Sequence, residues 1–320
     1  MNKKQTRISG FTMVKNATKL YYPIKASIES ILPIVDEFVI ALGDCEADDT
    51  TRAEIESIQS DKVKIIDTVW DLTKYPNGTE NAHQTDIARE ACSGDWLFYL
   101  QADEVVHEKD LPEIKAKCEQ YVDDLEVEGF LFNYYHFWGD YNHHQVNHAW
   151  YPNEIRIVRN TKDIHSWESA QSFRRIPNFD YVNYRQQENT FKLHVIELEA
   201  HIYHYGWVRP PHYMQSKKKA LDTIHKGAER AEQHNLKHKS EFDYGPLNKT
   251  TQFKGTHPKV LHNWMKKFDW ADKLYQSGST PTNRPKMKHE RLKYQIVSAI
   301  ENTFKIRLGG FKNFIVLKNK

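Results

Sequence analysis

Cysteine is scarce in this chain of 320 residues: Cys45, Cys92 and Cys118 are odd in number and far apart, and no Cys-x-x-Cys pair occurs. That pattern speaks against a disulfide framework, a zinc ribbon and thioredoxin-like chemistry, and the thiols are expected to be reduced and structural. Long apolar runs are missing as well. FVIAL (38–42) and WLFYL (96–100) fall far short of the ~18–20 residues that cross a bilayer. The opening MNKKQTRISGF is basic but lacks the apolar stretch of ~7–15 residues that a secretory leader needs, so a cytoplasmic location is expected. There is no internal repeat and no nucleic-acid-binding motif. The segment FTMVKNATK also lacks the glycines of a nucleotidyltransferase loop.

What is present is the balance of a soluble globular protein, 39% hydrophobic and 28% charged, long enough for one large domain or two modest ones. Aromatic residues make up 12% of the chain, with 17 Tyr and 8 Trp; these make flat platforms for sugars or bases, and they equally fill cores. The net charge of +2 conceals a division, because residues 1–210 carry −12 and residues 211–320 carry +14. A basic final third suits an anionic partner such as phospholipid, a phosphorylated acceptor or nucleic acid, or else packs against the acidic part.

The first hundred residues alternate strand and helix patterns, as a βαβ sheet requires. RISGFTMV (7–14), EFVIALG (37–43), KVKIID (62–67) and GDWLFYL (94–100) read as strands. Between them, helices are expected from caps at Asn16 or Thr18 through Leu32, over about 51–59, and over 79–92. After a helix at 108–121 the pattern turns β-rich through 129–139, 153–160 and 189–208, so the sheet becomes mixed. Beyond Pro210-Pro211 a long polar helix is expected from 212 to about 236, with further helices at 257–268 and 289–304. This divides the chain into 1–210 and a basic, mainly helical 211–320.

The strongest local signal is LFYLQADEVVHEKDL (97–111), an apolar strand ending in Gln101-Ala102-Asp103-Glu104. Ligands of open α/β sheets sit at the carboxyl ends of strands, and a carboxylate there can hold a divalent cation against a diphosphate. Asp103 is the leading ligand, although acidic residues after strands also simply begin turns.

Taken with its neighbours, this segment resembles the family 2 glycosyltransferases over roughly residues 6–210. FTMVKN (11–16) is similar to that family's first strand and turn, which places Thr12, Val14 and Asn16 at the nucleotide. VIALGDCEADDTTRAEIE (39–56) resembles its second strand and acidic turn, with Asp44 near base or ribose and Asp48 at the helix cap. HQTDIAREACSGDWLFYLQADE (83–104) resembles its helix, Gly-Asp-Trp, strand and Asp-x-Asp-Glu in order. There are departures. Gln101 replaces the first carboxylate, Asp86 stands where the family often has Asn, and Ser166-Trp167-Glu168-Ser169-Ala170-Gln171-Ser172 lacks the His-Glu pair of several relatives.

The resemblance implies an α/β GT-A-like fold and transfer, with inversion, of a sugar from a UDP- or GDP-sugar to a glycan or lipid-linked acceptor, in cell-surface polysaccharide or lipopolysaccharide synthesis. It implies a divalent metal, Mn²⁺ or Mg²⁺, on Asp103 and on His204 of HIYHYGWVR (201–209), with Gln101, Asp86 and Arg209 toward the donor. Glu168 is the candidate base and Asp163 the second choice; either could instead pair with Arg156, Arg159, Arg174 or Arg175. The tail KIRLGGFKNFIVLKNK (305–320) is a candidate contact with the inner face of a membrane, or a last element on the core. Two other classes stay open: a nucleotide-sugar binder without turnover, and a nucleic-acid binder using the basic third, although no nucleic acid is expected.

Overall fold

The structure is a computed structural model and describes residues 5–235, 240–282, 284–309 and 313–318. Residue 236 of the expected long helix and residues 310–312 and 319–320 of the expected tail contact lie outside the described residues. In chain order the elements are β1 (Ile8–Val14), α1 (Ile24–Ile31), β2 (Glu37–Leu42), α2 (Thr51–Glu56), β3 (Val63–Asp67), α3 (Thr79–Glu90), β4 (Trp96–Tyr99), β5 (Glu104–Val106), α4 (Leu111–Tyr121), β6 (Gly129–Trp138), β7 (His143–Gln145) and β8 (Asn153–Arg159). They continue with β9 (Ile164–Trp167), β10 (Ser172–Arg175), β11 (Leu193–Trp207), α5 (Pro211–Lys226), α6 (Ala228–Asn235), β12 (Thr251–Gln252), α7 (His262–Met265), α8 (Leu292–Phe304) and β13 (Phe314–Val316).

The architecture is mixed α/β. One large sheet runs β12-β7-β6-β8-β4-β1-β2-β3, with β11 beside β6. β3, β2, β1 and β4 are mutually parallel, and β8 then joins β4 antiparallel. β2 lies inside the parallel half, between β1 and β3, and all six of its residues are buried, because helices cover both faces. Phe38 and Ile40 point to one face with Ile24, Ile28 and Ile31 of α1. Val39 and Ala41 point to the other, with Ala88 of α3.

Parallel order places β1 between β2 and β4. The chain leaves β1 toward one side and returns through β4 on the other, so the crevice at their carboxyl ends is a topological switch point.

The expected first helix is shorter than its apolar spacing suggests. Leu20 lies in a turn, Tyr21 has φ 57°, and α1 starts only after Pro23, whose ring favours the first helical turn. The long helix after Pro211 breaks at Gly227 (φ 84°), leaving α5 and α6. The expected helix at 257–268 reduces to a 3₁₀ turn and the four residues of α7. Residues after 210 share a core with the sheet: Met214, Leu247, Leu261 and Trp270 pack with Phe137, Trp138, Tyr203 and Tyr205.

Candidate functional site

A cavity of about 270 Å³ opens at the switch point. Met13, Val14 and Lys15 line it from the end of β1, and Gln101, Ala102 and Asp103 from the end of β4. His204 and Trp207 come from β11, and Lys217, Leu221 and Ile224 from α5. A larger chamber of about 500 Å³ shares Lys15, Leu20, Trp70 and Ile224 with it and adds Asn16, Lys19 and Lys219. The parallel sheet thus supplies the floor and α5 the roof.

Asp103 is the electrostatic centre. Its Oδ2 accepts from the Lys217 ammonium at 3.0 Å and lies 3.9 Å from the Arg209 guanidinium. Burial alone would raise its pKa, but Lys217, His204 and Arg209 override that and hold the carboxyl well below the usual carboxylate range. Lys217 also donates to the Gly206 carbonyl at 2.8 Å and lies over Tyr22 and Trp207. Burial lowers its pKa to about 8 even though Asp103 opposes the shift.

His204 is set by a relay of two imidazoles. His136 Nε2 lies 2.8 Å from the Tyr151 carbonyl, which only accepts, so that nitrogen carries the proton. Burial, reinforced by His204, pushes His136 down to about 3, so it is neutral and its Nδ1 is bare. His204 Nδ1 stands 3.0 Å from that bare nitrogen and therefore donates to it. Burial takes His204 to about 4 against the pull of Asp103. Hydrogen-bond logic thus assigns His204 Nε2 a free lone pair, 3.7 Å from Asp103 Oδ2 with no proton between them.

A carboxylate oxygen and an imidazole nitrogen at this separation form a donor pair of the kind that suits a divalent ion. Gly206 makes the approach possible: a Cβ there would lie 2.5 Å from His204 Nε2 and 2.7 Å from Asp103 Oδ2. The donor set ends at two, however. Among the described residues no group of three or more His, Cys, Asp or Glu side chains is arranged to hold a metal, and an ammonium already sits on Asp103. These residues do not fit a metal centre built by the protein alone.

The other expected site residues divide. Val14 and Gln101 line the cavity, and Asn16 lines the adjoining chamber. Asp44 stands at the rim, paired with Lys15 at 2.8 Å and accepting from the Trp70 amide. Thr12 is fully buried in β1 and lines neither chamber. Arg209 is completely buried behind Asp103, donating to the Leu20 carbonyl and stacking on Tyr22, rather than lining the cavity.

Asp86 is a correction. It is buried on α3, bonded to Arg89, His165 and the Ser166 amide, so it fastens α3 to β9 and faces no cavity. The expected helix cap at Asp48 is a second: Asp49 accepts from the Thr51 amide at 2.9 Å, whereas Asp48 pairs with Lys19. Glu168 stands in the β9–β10 turn with φ 55°, beside Ala170 (φ 60°), whose carbonyl accepts from the Gln101 amide at 3.2 Å. Asp163 precedes the opposite end of β9, roughly 16 Å from Glu168 at strand spacing, so the two cannot share one site.

The arginines near them are occupied elsewhere. Arg156 forks onto Glu104, Arg159 caps four carbonyls between residues 121 and 127, Arg174 stacks on Trp167, and Arg175 pairs with Glu128.

Lys217, Lys15 and Trp70 are site residues that the sequence reading passes over. Lys217 had a signal: Met214, Lys217, Leu221 and Ile224 recur at spacings of three and four, one helical stripe with a lysine in an apolar position.

No protein-family model matches the chain, and no curated protein matches it. Among solved structures, TarS of S. aureus is similar with 13% identity and a TM-score of 0.37, over 72% of this chain and 42% of that one. A 1–349 fragment of TarS in complex with UDP-GlcNAc gives 13% and 0.35, over 71% and 70%. Glucosyl-3-phosphoglycerate synthase from Mycobacterium tuberculosis, in complex with Mn²⁺, UDP and glucosyl-3-phosphoglycerate, gives 16% and 0.29, over 42% and 45%. The chain therefore spans less than half of the length of the full TarS chain. At TM-scores below 0.5 these likenesses assign neither a substrate nor the role of any residue.

Proposed function

We propose that the chain is a glycosyltransferase of GT-A type, moving a sugar from a nucleoside-diphosphate donor to an acceptor hydroxyl with inversion. The observation that carries this reading is the cavity at the β1/β4 switch point, where one ionised carboxylate, Asp103, is outnumbered by Lys217 and Arg209. A buried surplus of positive charge seeks an anion, and a diphosphate supplies one of the right size and valence.

In this reading the diphosphate lies against Lys217, with the nucleoside in the larger chamber bounded by Asn16 and Trp70. The acceptor oxygen attacks the anomeric carbon, and the bond from that carbon to the diphosphate oxygen breaks. The nucleoside diphosphate leaves, and the acceptor proton passes to the Glu168 carboxylate on the opposite face. Lys217 meets the charge that grows on the leaving oxygens, and Arg209, behind Asp103, adds to the positive field. Cell-surface polysaccharide or lipopolysaccharide is the acceptor class that the resemblance suggests.

The test is a thermal-shift titration with UDP, GDP and their sugars. A ligand at ~100 times its Kd stabilises by about 2.7 kcal/mol, which gives a clear shift. One nucleotide is expected to raise the melting temperature of the wild type, and Asp103→Ala, which removes the carboxylate that positions the Lys217 ammonium and opposes its deprotonation, is expected to lose the effect. If no nucleotide stabilises the wild type, the reading is wrong.

A further inference from the structure

We infer that Lys217 is the resident cation of the donor site, so that a nucleoside diphosphate binds this chain without a divalent metal. This rests on the nucleotide-site reading above. A divalent ion would need the Asp103 carboxylate as a ligand, and the Lys217 ammonium already occupies that oxygen. It has three N–H donors. Asp103 Oδ2 at 3.0 Å and the Gly206 carbonyl at 2.8 Å take two, leaving one for a ligand in the cavity that this lysine lines.

Three further observations point the same way. The ammonium is held by the faces of Tyr22 and Trp207, which stabilise a cation but would not ligate a metal. Gln101 occupies the first position of the Asp-x-Asp resemblance, and its amide is committed to the Ala170 carbonyl, so a carboxylate that would help hold a metal is replaced by a neutral group. Asp103, Lys217 and Arg209 together carry +1, which suits a polyanion. A second cation of charge +2 at the same oxygen would first have to displace the lysine.

Isothermal titration of the full chain with UDP, and separately with GDP, in excess EDTA and in Mn²⁺, decides the matter. The Kd of the preferred nucleotide is expected to agree within about threefold between the two buffers. Lys217→Met is expected to weaken binding in EDTA at least tenfold and Lys217→Arg to preserve it, with circular dichroism melts confirming that both fold. Binding by the wild type only when Mn²⁺ is present overturns the inference while leaving the nucleotide site standing. Binding of neither nucleotide in either buffer overturns both. The wild-type comparison needs no variant, so a poorly folded Lys217→Met cannot blur it.

A separate feature, the inverted helix α8, carries a second inference. Its inner face is polar: Ser298 donates to the Tyr294 carbonyl and accepts from the His148 amide, and Glu301 pairs with His148 and Arg307. Its outer face is apolar, with Leu292, Ile296, Ile300 and Phe304 at four-residue spacing and 68, 51, 38 and 67% exposed. Ile306 and Leu308 continue the apolar surface, 48 and 40% exposed.

Charge completes the pattern. Between residues 286 and 309 the exposed charges are Lys286, Lys288, Arg291, Lys293 and Lys305, while both carboxylates, Glu290 and Glu301, are buried in ion pairs. An apolar stripe flanked by cations with no exposed anion fits the interface of an anionic bilayer. The geometry points to α8 as a peripheral membrane contact; no helix of the described residues is long and apolar enough to cross a membrane.

Sedimentation of the full chain with phosphatidylglycerol–phosphatidylcholine vesicles, and with phosphatidylcholine alone, tests it. Binding is expected for the anionic vesicles only, weakening as salt rises, and lost at least tenfold in Ile296→Asp/Ile300→Asp with an unchanged melt. Failure to bind anionic vesicles overturns the inference. So does light scattering that shows a dimer which the double variant dissolves, since the face would then belong to a second copy of the chain.

Discussion

Adding one methyl group at position 206 is expected to abolish nucleotide binding while leaving the fold in place. Gly206 lies near the carboxyl end of β11, two residues beyond His204 and therefore on the same side of the strand. Its Cβ would stand 2.5 Å from His204 Nε2 and 2.7 Å from Asp103 Oδ2. Neither neighbour can retreat easily. His204 is anchored through His136 to the Tyr151 carbonyl, and Asp103 through Lys217. The backbone of Gly206 is not in the left-handed region, so alanine fits its conformation and only the crowding matters. Overpacking of this kind costs roughly 1–3 kcal/mol of stability. The donor pocket bears the larger loss, because Asp103 is driven off the geometry that positions Lys217. For Gly206→Ala we expect nucleotide affinity to fall at least ~100-fold, about 2.7 kcal/mol, with the cooperative melt retained. Affinity within a factor of a few of wild type would show that Asp103 and His204 do not act together.

Arg156→Met is expected to be the most destabilising single change in the sheet. Arg156 and Glu104 are both completely buried, joined by bonds of 2.8 and 2.7 Å. Glu104 further accepts from Tyr134 Oη and from the Gln101 backbone N–H, and Arg156 donates to the Ile155 and Gln171 carbonyls. Removing the guanidinium leaves a carboxylate with no counter-charge in a dry interior, a loss of about 3–5 kcal/mol. A double variant, Arg156→Met/Glu104→Gln, removes both charges and is expected to recover part of that loss, because replacing a whole buried pair costs less than breaking it. Urea denaturation of the two singles and the double measures this directly. Wild-type stability in Arg156→Met would mean that water reaches Glu104. The pair also ties the end of β4 to the β9–β10 turn, so we expect nucleotide-dependent activity to fall with stability.

The parallel half of the sheet was legible because a strand covered on both faces leaves an unbroken apolar run, as EFVIAL does. Asp103 was legible because it follows such a run at the edge where ligands bind. Asp86 is placed toward the donor by the resemblance alone, since a carboxylate on a helix beside the site carries the same letter whether it faces a ligand or an arginine. Only its partners, Arg89 and His165, separate the two cases. Lys217 was hidden in QSKKKALDT, where four-residue spacing distinguishes the one inward lysine from its solvated neighbours. Helix ends suffered most. Tyr21 in a left-handed turn and Gly227 at a break are backbone states that a hydrophobic pattern does not encode. Glu168 and Asp163 stand beyond opposite ends of β9, a separation that no periodicity reveals.

The roof that α5 lays over the cavity has a consequence for the order in which the molecule is made. Strands β1 to β4, which form the floor, need only the first hundred residues and can pair while the rest of the chain is still being synthesised. Asp103 emerges just after that early piece, but its ammonium partner arrives more than a hundred residues later, at Lys217. Until then a nascent chain holds an unbalanced carboxylate at the rim of an open sheet, exposed to water and uncommitted. On the proposed function, a chain that stops before α5 lacks the Lys217 ammonium and is not expected to hold a nucleotide.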